Sequence, residues 1–567
     1  MNMDPMERYV AEAREYINAR LASDYGKDAR LELEIPAARA DFACPCFILA
    51  RKSGKTPQQI ADGLAAGYAG SGLKMWAENG YLNINADPVS LAAETVTAIR
   101  TSGDDYGKTA EGREKIIVEH TSINPNGPIH IGRARNALIG DTLVRCFRHA
   151  GLNVESEYYV DDAGKQVTML VWGVQHLEAP TTGIIKPDRK LVDYYIRASE
   201  LAGKDEKCAA EIQEMQRRLD QGDPETVRSV RMIADDVLEG IKESLSNINV
   251  RLDRYSYESD LILNGKVAGV IDKLKKLPEA KEDGGAWYIP IGGKDGEDGE
   301  DRFYFTRTDG TSLYTTRDVA YHIDKFSRAD RLVDVLGEDQ KLGIRFLSAA
   351  LKLLETGREP EFLFYSFVTL PAGKMSTRAG SFVLLDDILE EGKRRAKEEV
   401  LKRRSDISDA EATAIASVVG LGALRYNIVR LQAEKKVVFR WEEALNFEGN
   451  SAPFVQYAHA RACSILEKAG PWSAGSVAYR EEAELALCKQ LALFPSILRD
   501  VSRSMAVHRI AVYSHELASL FNQFYRLVSV LKAAEGVRTS RLALVDATRQ
   551  VLRISLDCLG IEAPRSM

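Results

Sequence analysis

The chain has 567 residues, 45% hydrophobic and 28% charged, with a formal net charge of −7. That balance excludes a disordered chain, and at roughly 100–200 residues per domain it predicts three or four domains. No apolar run approaches the ~18 residues that cross a bilayer, and the opening MNMDPMERYV has no basic-then-apolar leader, so a cytoplasmic protein without membrane contact is expected.

Residues 1–105 read as a small α/β unit. A helical opening, MERYVAEAREYINARLA, is followed by LELEIP, by a second helix, TPQQIADGLAAGYA, and by a strand, GYLNINAD. Thr56 is a candidate N-cap with Pro57 at the first helical position. Cys44 and Cys46 form a lone CxC with no second pair nearby, so packing rather than zinc is expected. With five more cysteines dispersed at 146, 208, 463, 488 and 558, no disulfide framework is expected either. The stretch TSGDDYGK reads as a linker.

A second unit is expected over 106–395. KIIVEH (115–120) reads as a strand, SINPNGPIH as a turn and RARNALIGDTLVRCFRHAG as a helix. Ile139, Leu143, Cys146, Phe147 and Ala150 fall on one face of it. NVESEYYV completes a βαβ unit, which predicts a right-handed crossover in a parallel sheet. Residues 171–250 read as a charged helical insertion. The Gly-rich stretch 292–301 reads as the tip of a hairpin between AWYIPI and RFYFTR, an insertion over about 280–305. RLVDVLG and FLFYSFVTL then resume the sheet.

From 396 to 567 an all-helical domain is expected. Tyr513, Leu517, Leu520, Phe521, Phe524 and Leu527 form one apolar stripe. The basic run 392–406 fits either a nucleic-acid surface or a solvated helix face of alternating charge. The net charge leaves both open, because a large acidic body can carry one basic face.

Two motifs carry chemistry. The first, NPNGPIHIG, lies between a strand and a helix, where backbone amides receive phosphate oxygens. Gly132 lets a nucleotide approach the backbone, and His130 can donate to phosphate. The second, AGKMSTRAG (372–380), places Lys374, Ser376 and Arg378 between glycines after an apolar strand. Such cations suit charge building on a departing pyrophosphate; alone, the motif also fits an ordinary basic loop.

Together, HIG early and KMS late resemble the signature of class I aminoacyl-tRNA synthetases, and further motifs resemble the arginine-specific members. Glu119, Ser122, Asn124 and Pro128 follow the family pattern ahead of the histidine, with Ile123 in place of a proline. YTTRD gives Tyr314 and Asp318, YSYES gives Glu258, and VLGEDQ gives Gln340. The chain departs from the family at Arg133, where a second histidine is usual, at Arg378, which replaces a lysine, and at Gly343. The resemblance implies a Rossmann-like parallel-sheet catalytic domain and an N-terminal domain that contacts tRNA. It also implies a helical anticodon-binding domain in which Tyr457, Arg461 and Met567 meet tRNA. Bracing of helices is an equal reading for Tyr457 and Arg461. The implied reaction is ATP-dependent ligation of L-arginine to its tRNA through an arginyl-adenylate. Mg²⁺ accompanies ATP, no tightly bound cofactor or protein-held metal is expected, and bound tRNA is required before activation. A monomer is expected.

The physical reading agrees with the resemblance. A guanidinium is planar and always charged, and it offers forked donors to a carboxylate. Asp318 and Glu258 could supply the charge and Tyr314 a wall, with Asn124 and Gln340 on the α-amino group by resemblance. Asp318 also fits a helix N-cap before VAYHIDKF. The rivals are a synthetase for another amino acid, a silent tRNA-binding paralogue and a small HxGH nucleotidyltransferase.

Overall fold

The computed structural model describes residues 4–34, 40–108, 112–179, 183, 186–291, 301–371, 383–473, 475 and 477–567. The N-terminal unit opens with α1 (Pro5–Tyr25), β1 (Phe42–Pro45), α2 (Phe47–Ser53) and α3 (Pro57–Ala66). The hairpin of β2 (Leu73–Glu78) and β3 (Tyr81–Ala86) then gives a three-stranded antiparallel sheet in the order β1-β3-β2. Thr56 caps α3 in a reciprocal capping box with Gln59. The described residues of LELEIP, 31–34, contribute an isolated bridge, Glu34 to Ala43. The expected linker is not a free tether. Its first residues end α4 (Pro88–Ser102), and Tyr106 is buried, donating from its hydroxyl to Leu491 O at 3.0 Å and stacking on Phe494. Tyr106 thus brings this segment into the core.

The second unit is built on five parallel strands in the order β11-β10-β4-β5-β6. β4 (Lys115–Glu119) leads into α5 (Ile131–His149) and β5 (Asn153–Val160). The helical insertion follows as α6 (Lys165–His176), α7 (Pro187–Ala202), α8 (Glu206–Asp220) and α9 (Pro224–Asn247), before β6 (Arg254–Tyr257), α10 (Glu258–Leu263) and α11 (Lys266–Lys275). β7 (Lys281–Asp283), β8 (Ala286–Ile291) and β9 (Asp301–Tyr304) form an antiparallel hairpin sheet whose tip, 292–300, lies outside the described residues. α12 (Tyr314–Arg328), β10 (Arg331–Gly337), α13 (Lys341–Leu353) and β11 (Glu361–Tyr365) complete the sheet. The chain reverses direction across the sheet between β4 and β10, the switch point at which ligands bind in open α/β sheets.

The expected single strand FLFYSFVTL is broken. β11 stops at Tyr365, and β12 (Val368–Thr369) leaves the sheet to pair in parallel with β13 (Val437–Val438). The break comes from Ser366, whose amide donates to Ala433 O and whose carbonyl is held by the buried Arg135 guanidinium.

The helical part opens at α14 (Leu385–Arg403) and continues as α15 (Asp409–Val429), α16 (Trp441–Ala444), α17 (Ala452–Ala469), α18 (Glu482–Ala492), α19 (Phe494–Ser504), α20 (His508–Leu527) and α21 (Glu535–Cys558). The two-residue β13 enters this range early, and from α16 onward every element among the described residues is a helix, as expected. α15 is long and apolar enough to cross a membrane, contrary to the expectation from the sequence, but 67% of its apolar window is buried in the protein. On α20 the stripe is buried at Tyr513, Leu517, Phe521 and Phe524, whereas Leu527, the last helical residue, is exposed. Much of the basic run forms a solvated face, while its end, Arg403 and Arg404, lines a cavity. Lys393, Arg394, Arg395, Lys402 and Arg403 all pair with glutamates three or four residues away.

Candidate active site

The carboxyl end of β4 sets the site. Thr121 and Ser122 both adopt positive φ, 75° and 36°, a conformation that costs a non-glycine residue energy and that clusters at functional sites. The turn is over-determined. Ser122 Oγ donates to Glu119 Oε1 (3.0 Å) and accepts from the Tyr159 amide (3.0 Å). The Thr121 amide donates to Asn136 Oδ1 (2.8 Å), and the Ile123 amide to the Tyr158 hydroxyl (3.0 Å). Asn124 reaches Gln166 Oε1 at 3.1 Å, a partner on α6.

The turn delivers His130 as the N-cap residue of α5, so the first turn of that helix starts at the same edge. The helix begins at Ile131, earlier than its periodicity suggested, so the HIG motif is the helix entrance itself. Burial and the nearby Arg133 lower the His130 pKa, which favours the neutral ring. A Cβ on Gly132 would stand 3.0 Å from His130 Nδ1, so glycine there gives the imidazole its place. Arg133 is exposed. The backbone around His130 pairs with residues beyond the second motif: the Ile131 amide donates to Val383 O (3.0 Å) and the Leu385 amide to Ile129 O (2.9 Å). Lys374, Ser376 and Arg378 lie outside the described residues.

An acidic cluster is joined to the Ser122 turn through Tyr159. Tyr314 opens α12 and is 51% exposed. Asp318 lies one turn further on, so it is not the N-cap; Leu313 is. Asp318 Oδ1 is 3.1 Å from His322 Nδ1. Glu258, at the end of β6, is 2% exposed. Its oxygens accept from the Tyr159 hydroxyl (3.0 Å) and from Arg317 Nη1 (2.9 Å), and Arg317 also binds Asp220 (2.6 Å). Glu258 is therefore already paired with a guanidinium of the protein. Burial and the adjacent Glu258 push the Asp161 carboxyl well up, which favours its neutral form. Burial, then the charges of Glu258, Asp161 and Asp318, raise the Tyr159 phenol. Glu119 bonds Lys325 (2.7 Å). Gln340 is exposed in the turn that follows β10, the strand beside β4.

The sequence reading singled out Glu119, Ser122, Asn124, His130, Gly132, Glu258, Tyr314, Asp318 and Gln340, and all lie at the carboxyl edge of the sheet or on α12 beside it. It missed Arg317, Lys325, His322, Tyr159, Asp161 and Gln166. Arg317 and His322 stand in or next to the YTTRD motif; the others carry no local signal.

A second site lies in the helical part. Tyr457, Arg461 and Met567 line one cavity of about 480 Å³ together with Arg403, Arg404 and Phe447. The Arg461 guanidinium stacks over the Tyr457 and Tyr525 rings, at 4.7 and 4.9 Å from their centroids, and Arg403 over Phe447 at 4.2 Å. The chain end is tied down by Gln456 on Glu562 O (2.9 Å), His459 on Pro564 O (2.9 Å) and Arg404 on Met567 O (3.0 Å).

Residues 95–441 match the family model described as tRNA synthetases class I (R), catalytic domain, which covers more than half of the chain. The chain belongs to the class I arginyl-tRNA synthetase family. Residues 11–86 match the arginyl tRNA synthetase N terminal domain and residues 455–567 the DALR anticodon binding domain. Arginine–tRNA ligases of Methanocella arvoryzae and Methanosarcina acetivorans are 43% and 39% identical to it, over 92% and 95% of this chain and 92% and 96% of their own. The arginyl-tRNA synthetase of Thermus thermophilus superposes with a TM-score of 0.84 at 28% identity, covering 98% of this chain and all of that one. A Plasmodium falciparum arginyl-tRNA synthetase, at 16% identity and a TM-score of 0.81, shares the fold.

Proposed function

We propose that this chain, an ATP-dependent arginine–tRNA ligase, selects arginine with Asp318 and activates it beside His130. The observation that carries this reading is that Asp318 is a partly exposed carboxylate, 38% open at its side chain, on the rim of the edge at which α5 begins. Its carboxylate meets the substrate guanidinium, and Tyr314 walls it. Glu258, bound to Arg317, stands behind as the charge that holds the pocket together. Ser122, Asn124 and Gln340 orient the α-amino group, with Glu119 supporting Ser122.

The arginine carboxylate then attacks the ATP α-phosphorus in line. The bond to pyrophosphate breaks and arginyl-adenylate forms. The neutral His130 donates to phosphate oxygens and Gly132 keeps the helix entrance open to them. Lys374, Ser376 and Arg378 supply charge and donors to the leaving pyrophosphate, and Mg²⁺ enters with ATP. The terminal ribose 2′-hydroxyl of tRNA next attacks the arginyl carbonyl, and AMP leaves. At the far end, Tyr457, Arg461 and Met567 hold an unstacked anticodon base, for which aromatic and guanidinium planes are suited. The seven cysteines are unpaired, which supports a reducing, cytoplasmic compartment, and the chain acts as a monomer.

The test is charging of total tRNA with each of the twenty amino acids in turn. Arginine alone is expected to be charged; charging by another amino acid, or none, overturns the reading.

A further inference from the structure

Asp318 is held by a second residue of its own helix. The ring of His322, 2% exposed, lies against it. His322 Nδ1 is 2.8 Å from the Asp318 carbonyl and 3.1 Å from Asp318 Oδ1, and Nε2 is 2.7 Å from Asp334 Oδ2. All three partners are acceptors; a neutral imidazole has one N–H and would leave an acceptor facing a lone pair. Satisfying both sides requires a hydrogen on each ring nitrogen, the imidazolium.

The groups around the ring support the charge. On α12 itself, Asp318 lies one turn before and Lys325 one turn after. From β10 comes Asp334, whose second oxygen accepts from Lys325 at 2.6 Å, and from β4 comes Glu119, which accepts from the same ammonium at 2.7 Å. Tyr321 places its ring edge-on, 5.8 Å away. Burial and Lys325 oppose a second cation, but Asp334 and Asp318 prevail and carry His322 up to about 10. The line continues from Glu119 to Ser122. One chain of hydrogen bonds thus joins the guanidinium end of the pocket to the turn expected to face the α-amino group, and Asp318 is its most exposed carboxylate.

We propose that His322 is a positioning residue for amino-acid selection, an imidazolium wedged between Asp334 and Asp318 that fixes the rotamer and the free oxygen Asp318 presents to arginine. The proposal rests on the reading that Asp318 meets the guanidinium. A pinned carboxylate favours a planar fork, whose donors have fixed directions, over the rotating ammonium of lysine.

The experiment compares wild type, His322→Gln, Asp318→Asn and the double variant in aminoacylation with tRNA present, at varied arginine, lysine and ATP. His322→Gln is expected to raise the arginine KM about tenfold, the loss of one hydrogen bond to a charged group. The KM for ATP and kcat should stay within about twofold, and discrimination against lysine should fall. In the Asp318→Asn background the second substitution should add nothing. Multiplicative effects, or an unchanged arginine KM in His322→Gln while Asp318→Asn raises it, overturn the role of His322. An unchanged KM in Asp318→Asn overturns the pocket reading and this proposal with it. A measurement independent of the variants' folding is nitrogen NMR of the full-length wild type labelled at histidine. His322 should show both ring nitrogens protonated at pH 8; a neutral tautomer there refutes the proposal.

Discussion

Gly132 and His130 show how little space the chemistry leaves at single residues. Adding a methyl at Gly132 sets carbon 3.0–3.1 Å from the imidazole, so Gly132→Ala should turn the ring away from the phosphate contact proposed for it. A displacement of ~1 Å costs roughly 100-fold. We expect kcat for arginine-dependent pyrophosphate exchange, measured with tRNA present, to fall by about that factor while the arginine KM holds. Two buried histidines also oppose each other in pH. Burial lowers His120 to about 4, against ~6.5 unfolded. Its contribution to stability is present above pH ~6.5 and is lost as pH falls towards about 4. His322 is raised to about 10, so its contribution is complete below ~6.5 and is lost as pH rises through about 10. Urea titrations across pH should show His120→Asn removing acid sensitivity and His322→Gln removing alkaline sensitivity. At this scale Asp318, Glu258 and Tyr314 were legible as candidates through the motifs that carry the family resemblance. Their counter-charges were not. Arg317 is 59 residues from its partner Glu258, and Lys325, which serves Glu119 in the same cluster, is 206 residues from it, separations that no local pattern spans.

Among the elements, the βαβ unit was readable because its period switches from two to 3.6 and back. Ile139, Leu143, Cys146 and Phe147 are all buried on α5 as that period requires. The close seating of α5 was not readable. A Cβ on Gly140 would stand 2.3 Å from the His120 Cβ, and Gly140→Ala should destabilise the protein by about 3 kcal/mol, at the upper end of overpacking costs, measured by urea unfolding. The break in β11 escaped the sequence for a similar reason. Arg135 holds Ser366, Lys435 and Gln432 carbonyls from far away in the chain, and apolar residues run through the break without interruption. In the N-terminal unit, β2 and α4 went unread, although Asp87 and Pro88 open α4 with an N-cap and a proline in its first turn.

Across the whole molecule the units lock through buried charges. Arg425 on α15 donates to Leu559 O (2.7 Å), to Ile248 O (2.6 Å) and to Asp141 on α5 (2.5 Å), joining three distant segments. Arg425→Met leaves Asp141 with Arg145 alone. A loss of ~3 kcal/mol is expected, at the low end for breaking a buried pair, read as a lowered unfolding midpoint. The N-terminal unit docks on the helical part, through Asp4 to Arg499 (2.8 Å) and Asp41 to Lys489 (2.5 Å). Domain identity was legible from motifs, but this docking was not, since it joins the two ends of the sequence. At the entrance of α5 the Val368 carbonyl is 3.9 Å from the Gly132 Cβ position, and Val383 O accepts from the Ile131 amide at 3.0 Å. Described residues on both sides of the second motif are thus moored beside one imidazole. A substitution that loosens β12 or Val383 therefore also unsettles the footing of His130.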